Sequence, residues 1–255
     1  MSHHRVEMKN VSYHYPDGNR GINEVTMLLH HGESVGVIGA NGAGKSTLLM
    51  LLLGILFPQE GEVIVGDIQV TGKTISMIRQ RVGLVMQQAD DQLFMTTVYD
   101  DVAFGPRNEG LSEDEVSTRV ADALSTVGLE HLEERAPYKL SGGEKKSVSI
   151  ATVLSMEPDI LLMDEPTAGL DPQARRRLIN LLNCFKHTKI ITSHDLDMIM
   201  DTCNRVLVLK DGALVADGNP KQIFSSAEKM EEWGLELPLS LANCPNCNAG
   251  KNSTL

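Results

Sequence analysis

Eight consecutive residues, Gly39-Ala40-Asn41-Gly42-Ala43-Gly44-Lys45-Ser46, fit the pattern GxxxxGK[ST], and Thr47 follows them in the same loop. Each residue type in it answers a need of phosphate binding. The glycines let backbone amides turn inward around phosphate oxygens, and a following helix offers its positive end. Lys45 can then reach the terminal phosphates and Ser46 can ligate Mg²⁺. A flexible glycine turn is the bland alternative. It is weakened by the flanks: Ser34-Val35-Gly36-Val37-Ile38 reads as an apolar strand running straight into the glycines, and an apolar helix is expected from Ser46 to Leu53.

A second group is Ile160-Leu161-Leu162-Met163-Asp164-Glu165. Four apolar residues make a buried strand, and two carboxylates stand at its C-terminal end, where open α/β sheets bind ligands. Asp164 is placed to hold Mg²⁺, and Glu165 to polarise an attacking water. Alone, acidic residues after a strand are a solvated loop; beside a phosphate loop they are candidates for catalysis. The third group is Leu140-Ser141-Gly142-Gly143-Glu144. Ser141 and Glu144 have capping-box spacing, an ordinary helix start, yet two glycines at a helix N-terminus also let a backbone approach an anion. The chain thus carries two phosphate-binding helix ends, and one nucleotide fills only the first. The second can serve the nucleotide of another subunit.

The elements that must position these groups alternate. Residues 6–37 mix apolar runs with turn signals such as Pro16-Asp17-Gly18, which predicts short antiparallel strands. From about Asp90 to Met156 the pattern turns helical, with Ser112 and Glu115 at capping-box spacing, and reads as a helical insertion. Strand character returns at 160–163, 189–193 and 206–209 with helices between, which implies a largely parallel sheet covered on both faces. Residues 239–255 turn polar and read as a loose tail to a single domain of residues 1–238.

The 255 residues are 42% hydrophobic and carry a formal net charge of −11, a balance opposed to gripping a nucleic-acid backbone. No apolar run approaches the roughly 20 residues needed to span a bilayer. Of the four cysteines, Cys184 and Cys203 stand alone and Cys244 and Cys247 form a CxxC. A structural metal site needs about four ligands, and no second CxxC exists, so incidental thiols are the favoured reading over a site completed by a second copy or by His3 and His4.

Taken together, the three groups resemble the ATP-binding cassette family, over residues 6–238. The resemblance implies an α/β fold of the P-loop NTPase kind, RecA-like with a mostly parallel sheet, an N-terminal antiparallel β part and an inserted α-helical subdomain. It makes residues 39–47 the Walker A loop, 160–165 the Walker B strand and 140–144 the signature motif. Tyr15 is similar to the aromatic that stacks on adenine, with Tyr13 as rival. Gln87, with Gln88 beside it, is similar to the glutamine that joins the Mg²⁺ site to the helical insertion. Ala168-Gly169-Leu170-Asp171 resembles the D-loop, and His194 the switch histidine that touches the γ-phosphate. Ser147 departs from the pattern, standing where many cassettes carry a basic residue.

The implied activity is ATP hydrolysis with ATP and Mg²⁺, catalysed by Glu165, His194 and Lys45. Tyr15, Gly39, Asn41, Gly42, Ala43, Gly44, Lys45, Ser46 and Thr47 hold one nucleotide, and Ser141, Gly142 and Gly143 hold the partner's. Ser46, Gln87 and Asp164 would hold the metal. Asp90-Asp91-Gln92-Leu93-Phe94, Val102-Ala103-Phe104-Gly105-Pro106, Asn108 and Gly110-Leu111 resemble the cassettes of energy-coupling-factor importers, especially the cobalt and nickel branch. In such systems the partners are a second cassette, an integral transmembrane subunit and a membrane subunit that chooses the cargo. The chain would then sit peripherally on the cytoplasmic face of the cell membrane, with Leu93, Phe94 and Phe104 lining a groove for the transmembrane partner. A soluble cassette acting in DNA repair or translation is the alternative, disfavoured by the acidic charge and the absence of coiled-coil or zinc insertions. A nucleotide-dependent assembly or regulatory protein that does not hydrolyse ATP is opposed by Glu165 and His194.

Overall fold

Two sheets enclose one apolar helix in the computed structural model, which describes residues 5–242. The chain opens with β1 (Val6–His14) and β2 (Arg20–Leu29), paired antiparallel. Along β2 buried and exposed residues alternate, the mark of a sheet with one face toward the core. Then β3 (Ser34–Ile38) runs into the glycine loop and α1 (Lys45–Leu52). The antiparallel sheet is completed by β4 (Glu60–Val65) and β5 (Ile68–Gln69), in the order β2-β1-β4-β5.

Next come α2 (Ile75–Arg81) and β6 (Val82–Val85), followed by the helical region: α3 (Val98–Asn108), α4 (Glu113–Val127) and α5 (Gly142–Leu154). The chain then alternates through β7 (Ile160–Asp164), α6 (Pro172–Cys184), β8 (Thr188–Thr192), α7 (Leu196–Thr202), β9 (Arg205–Lys210) and β10 (Ala213–Gly218). It closes with α8 (Pro220–Ile223) and α9 (Ala227–Glu232). The second sheet has the order β10-β9-β3-β8-β7-β6, parallel from β9 to β6 with β10 antiparallel at one edge.

Every residue of β8 is buried, as are four of five in β7 and in β3, so these strands are apolar without alternation because both faces are covered. Strand geometry still sorts them: Leu162 and Ile190 point into the core shared with α1 and the antiparallel sheet, while Leu161, Met163 and Ile191 point to the opposite core beneath α6 and α7. Because α1 lies between two sheets, Leu48, Leu49, Leu51 and Leu52 are all buried, and only Ser46 and Met50 keep access to solvent, too little to give the helix a broad polar face. A third core unites α3, α4 and α5 through Val98, Val102, Val116, Val120 and Val148. Both anticipated capping boxes form, Ser112 with Glu115 on α4 and Ser141 with Glu144 on α5.

Some particulars differ from the sequence reading. The N-terminal strands are nine and ten residues long, not short. β6 has no separate signal, because four residues interrupted by Gly83 look like a connection. Gly83 is there for contact: a Cβ would fall 2.2 Å from Val153 Cγ1 and 3.2 Å from Pro158, so any side chain would push against α5 where it docks on this edge strand. Leu93 belongs to the core of the helical region rather than to an open groove, whereas Phe94 and Phe104 are exposed and stack edge to face at 5.0 Å.

Candidate functional site

Residues 39–47 link the C-terminal end of β3 to α1, and two contacts explain the glycines. Gly44, the helix cap, has φ 101°, and a Cβ there would lie 2.3 Å from the Gly21 carbonyl. Behind the loop, a Cβ on Gly39 would lie 2.3 Å from the Leu209 carbonyl. Gly39 and Ala43 are buried and form the back of the loop. Asn41, Gly42, Gly44, Lys45, Ser46 and Thr47 line a cavity of about 950 Å³. Tyr15, Gln87, Asp164, Glu165 and His194 line the same cavity.

Lys45 is buried, and its ammonium donates to the carbonyls of Gly39 (2.9 Å) and Ala40 (3.2 Å) and meets His194 Nε2 at 3.1 Å. Burial holds its pKa below the ordinary lysine value, and the Glu165 and Asp164 carboxylates oppose that shift. Ser46 Oγ donates to Asp164 Oδ2 at 2.8 Å, and Thr192 Oγ1 donates to Asp164 Oδ1 at 2.5 Å. Ser46, Asp164 and the nearby Gln87 bring a hydroxyl, one carboxylate and an amide to one cavity. That all-oxygen, low-charge set fits Mg²⁺, which is usually bound through one or two carboxylates together with substrate phosphates. Among the described residues no group of three or more His, Cys, Asp or Glu side chains could hold a metal by itself.

Glu165 follows β7 in a left-handed conformation, φ 45°, that a non-glycine residue adopts only when its surroundings impose it. Its N–H donates to the Thr192 carbonyl at 3.1 Å. One carboxylate oxygen, Oε2, accepts the His194 N–H at 3.0 Å. The other, Oε1, is buried 3.4 Å from His194 Nε2 and has no hydrogen-bond partner. A buried acceptor left open is costly unless something else fills it, and a water oriented for attack would do so.

The two tyrosines separate cleanly. Tyr15 lines the cavity and its hydroxyl lies 3.0 Å from Thr47 Oγ1, while Tyr13 packs edge-on against it and into the core beside α1. Likewise Gln87 lines the cavity and Gln88 does not. Ser141 and Gly143 stand apart, in a groove shared with Ser147, Asp171 and Arg177, with Gly142 exposed beside them. One chain does not bring residues 141–143 to its own residues 39–47.

Several residues of the site carry no signal in the sequence. Asp17, Asn19, Arg20 and Thr167 line the cavity. Arg175 clasps Asp195, the residue after His194, with two hydrogen bonds, Nε–Oδ2 at 2.5 Å and Nη2–Oδ1 at 2.7 Å. Lys146 is buried, its pKa pushed down to about 8 by that burial and pulled back up by Asp164 and Glu165. These roles come from contacts between distant segments, which no local pattern announces. Cys244, Cys247, His3 and His4 lie outside the described residues.

Residues 22–168 match the family described as ABC transporter. The chain belongs to that family. It is an ABC ATPase with the α/β P-loop NTPase fold, the antiparallel part and the inserted helices that the sequence implied. A Geobacter sulfurreducens protein provisionally named as an ABC transporter ATP-binding protein is 57% identical over 247 residues, covering 97% of this chain and 99% of that protein. The energy-coupling factor transporter ATP-binding protein EcfA of Methanothermobacter thermautotrophicus is 48% identical, covering 91% of this chain and 76% of that protein. Among solved structures, the CbiO cassette of Clostridium perfringens, part of the ABC transporter complex cbiONQ, superposes with a TM-score of 0.80 at 39% identity. The superposition spans 89% of this ABC ATPase and 93% of that chain.

Proposed function

We propose that this ABC ATPase is the ATP-hydrolysing subunit of an importer of the energy-coupling-factor type. The cargo we assign is a cobalt or nickel ion or another micronutrient. The EcfA relatives and the CbiO neighbour support the transporter type, as does the run of residues 90–111. No helix of the described residues is long and apolar enough to cross a membrane, in keeping with a peripheral subunit on the cytoplasmic face of an integral partner. The groove lined by Phe94, Phe104, Arg79 and Asn108 offers exposed aromatic surface to a helix of that partner, and the cargo-binding membrane subunit is a further component.

One observation carries the catalytic reading: Glu165, which lines the same cavity as Lys45 and His194, has a buried Oε1 without a hydrogen-bond partner. In this reading the amides of residues 41–47 wrap the phosphates and Tyr15 stacks on the base. Lys45 exchanges its loop carbonyls for terminal phosphate oxygens. Glu165 orients the attacking water through Oε1 and accepts its proton, while His194, held by Glu165 Oε2, contacts the γ-phosphate. Ser46, Gln87 and Asp164 would hold Mg²⁺, which when bound neutralises charge on the phosphate oxygens. A second copy, or a paired cassette, completes each site with its residues 141–143, and closure of the pair on two ATP molecules drives the membrane partner.

Affinity capture of the full chain from solubilised membranes tests the assignment. A multi-span membrane protein should co-purify. Recovery of ribosomes or DNA in its place would overturn it.

A further inference from the structure

Lys146 is a buried charge with no part in the mechanism above. Its ammonium forms no ion pair among the described residues; it donates instead to the backbone carbonyls of Met86 (2.8 Å) and Gln87 (2.9 Å). A lysine buried this deeply is tolerated only where its hydrogen bonds are made well. Here they are made to the chain segment that carries the candidate Mg²⁺ ligand.

The same segment is fastened to α5 at three further points. Gln92 Oε1 accepts the Met86 N–H at 3.1 Å, while Gln92 Nε2 donates to the Ser149 carbonyl and to Thr152 Oγ1, both at 2.7 Å. Lys145 pairs with Asp90 at 2.6 Å. Residues 145, 149 and 152 follow helical spacing, so they share one face of α5, and residues 86–92 lie along it. Met86 is therefore held at both its N–H and its carbonyl. The N-terminus of this same helix is residues 141–143, the motif assigned to the partner's nucleotide.

We propose that Lys146 is a positioning residue: from α5 it grips the Met86 and Gln87 carbonyls, so that the seating of the helix N-terminus sets where the Gln87 side chain stands. The signature motif of one site and the metal-binding corner of the other then move as one body. The metal half of the inference rests on the reading of Gln87 as a ligand; the mechanical half does not.

Two measurements on the full chain test the halves separately. Amide hydrogen exchange of residues 86–92 should quicken about ten-fold in Lys146→Met, with the core strands unchanged. Wild-type exchange in that variant would overturn the strut. Mn²⁺ is then titrated onto protein saturated with a non-hydrolysable ATP analogue. Lys146→Met should bind it about ten-fold more weakly, as should Gln87→Ala, with analogue affinity in chelator unaltered. A normal Mn²⁺ affinity in Lys146→Met beside a weakened Gln87→Ala would overturn the positioning role. A normal affinity in Gln87→Ala would overturn the ligand reading instead and leave exchange to decide. Should Lys146→Met fail to fold, Gln92→Met, which frees the Met86 N–H and removes the two bonds to Ser149 and Thr152 on α5, should show the same rise in exchange, and its absence would count against the strut.

Discussion

Glu165 has one carboxylate oxygen bound and the other without a partner, and that division sets what substitution does. Oε2 anchors the His194 N–H; Oε1 is buried and has no hydrogen-bond partner. A glutamine keeps the size and one carbonyl oxygen but cannot take a proton. Glu165→Gln should therefore retain ATP binding while turnover falls about 10²–10⁴-fold, the usual weight of a general base. Undiminished phosphate release in a single-turnover assay would remove Glu165 from that role. Tyr15 and Tyr13 part in the same way. Losing a stacking ring costs about 1–3 kcal/mol per base, so Tyr15→Ala should weaken ATP binding roughly ten-fold or more with little change in melting temperature. Tyr13, packed in the core beside α1, should do the reverse. Titration calorimetry and thermal melts on both variants separate the two effects. Cys203 offers a pH readout: burial raises its thiol to about 11 from 9.0. Its contribution to stability is complete below pH 9.0 and is lost as pH rises toward 11. At pH 8, peptide mapping after alkylation should find exposed Cys184 modified and Cys203 spared until the protein unfolds.

Elements were readable where their chemistry is contiguous. Residues 39–47 and 160–165 announce themselves because every functional group lies within one strand–loop–helix or strand–loop unit, and each position admits few residue types. The clamps around them are another matter. Lys146 reaches its carbonyls across 60 and 59 residues, Thr192 reaches Asp164 across 28, and Arg175 reaches Asp195 across 20. Those pairs exist only once β7 and β8 lie side by side and α5 has docked, so no periodicity encodes them. Leu93 and Phe94 show the same limit: neighbours of like hydrophobicity took opposite fates, one to the core of α3, α4 and α5 and one to the surface. Docking of α5 also yields a test at this scale. Gly83→Ala inserts a methyl 2.2 Å from Val153 Cγ1, and overpacking of this kind costs about 1–3 kcal/mol. Chemical denaturation should show that loss, and Val153→Ala in the same chain should recover part of it, because the removed methyls make the room. A double variant no more stable than Gly83→Ala would mean that the backbone of α5, not the Val153 side chain, is the obstacle.

At the scale of the whole molecule, the separation of residues 141–143 from residues 39–47 is the decisive fact. In the proposed mechanism a chain whose two candidate phosphate-binding ends line different cavities borrows the second from a partner, and identical partners related by a two-fold axis would borrow reciprocally. That arrangement predicts complementation between two dead proteins. Lys45→Ala spoils the loop of its own chain, and Ser141→Arg spoils the motif it lends to the other. Each homodimer then has two defective sites and should be silent. In a mixed dimer one site collects both defects, while the other pairs the intact loop of the Ser141→Arg chain with the intact motif of the Lys45→Ala chain. With random pairing half the dimers are mixed and each has one sound site of two, so an equimolar mixture should recover about a quarter of wild-type ATPase activity if the sites turn over independently. Recovery well below that level, with mixed dimers confirmed by affinity tags, would mean the two sites fire only together. No recovery at all, while a lone wild-type chain held monomeric by dilution keeps its specific activity, would show that each chain completes its site without help.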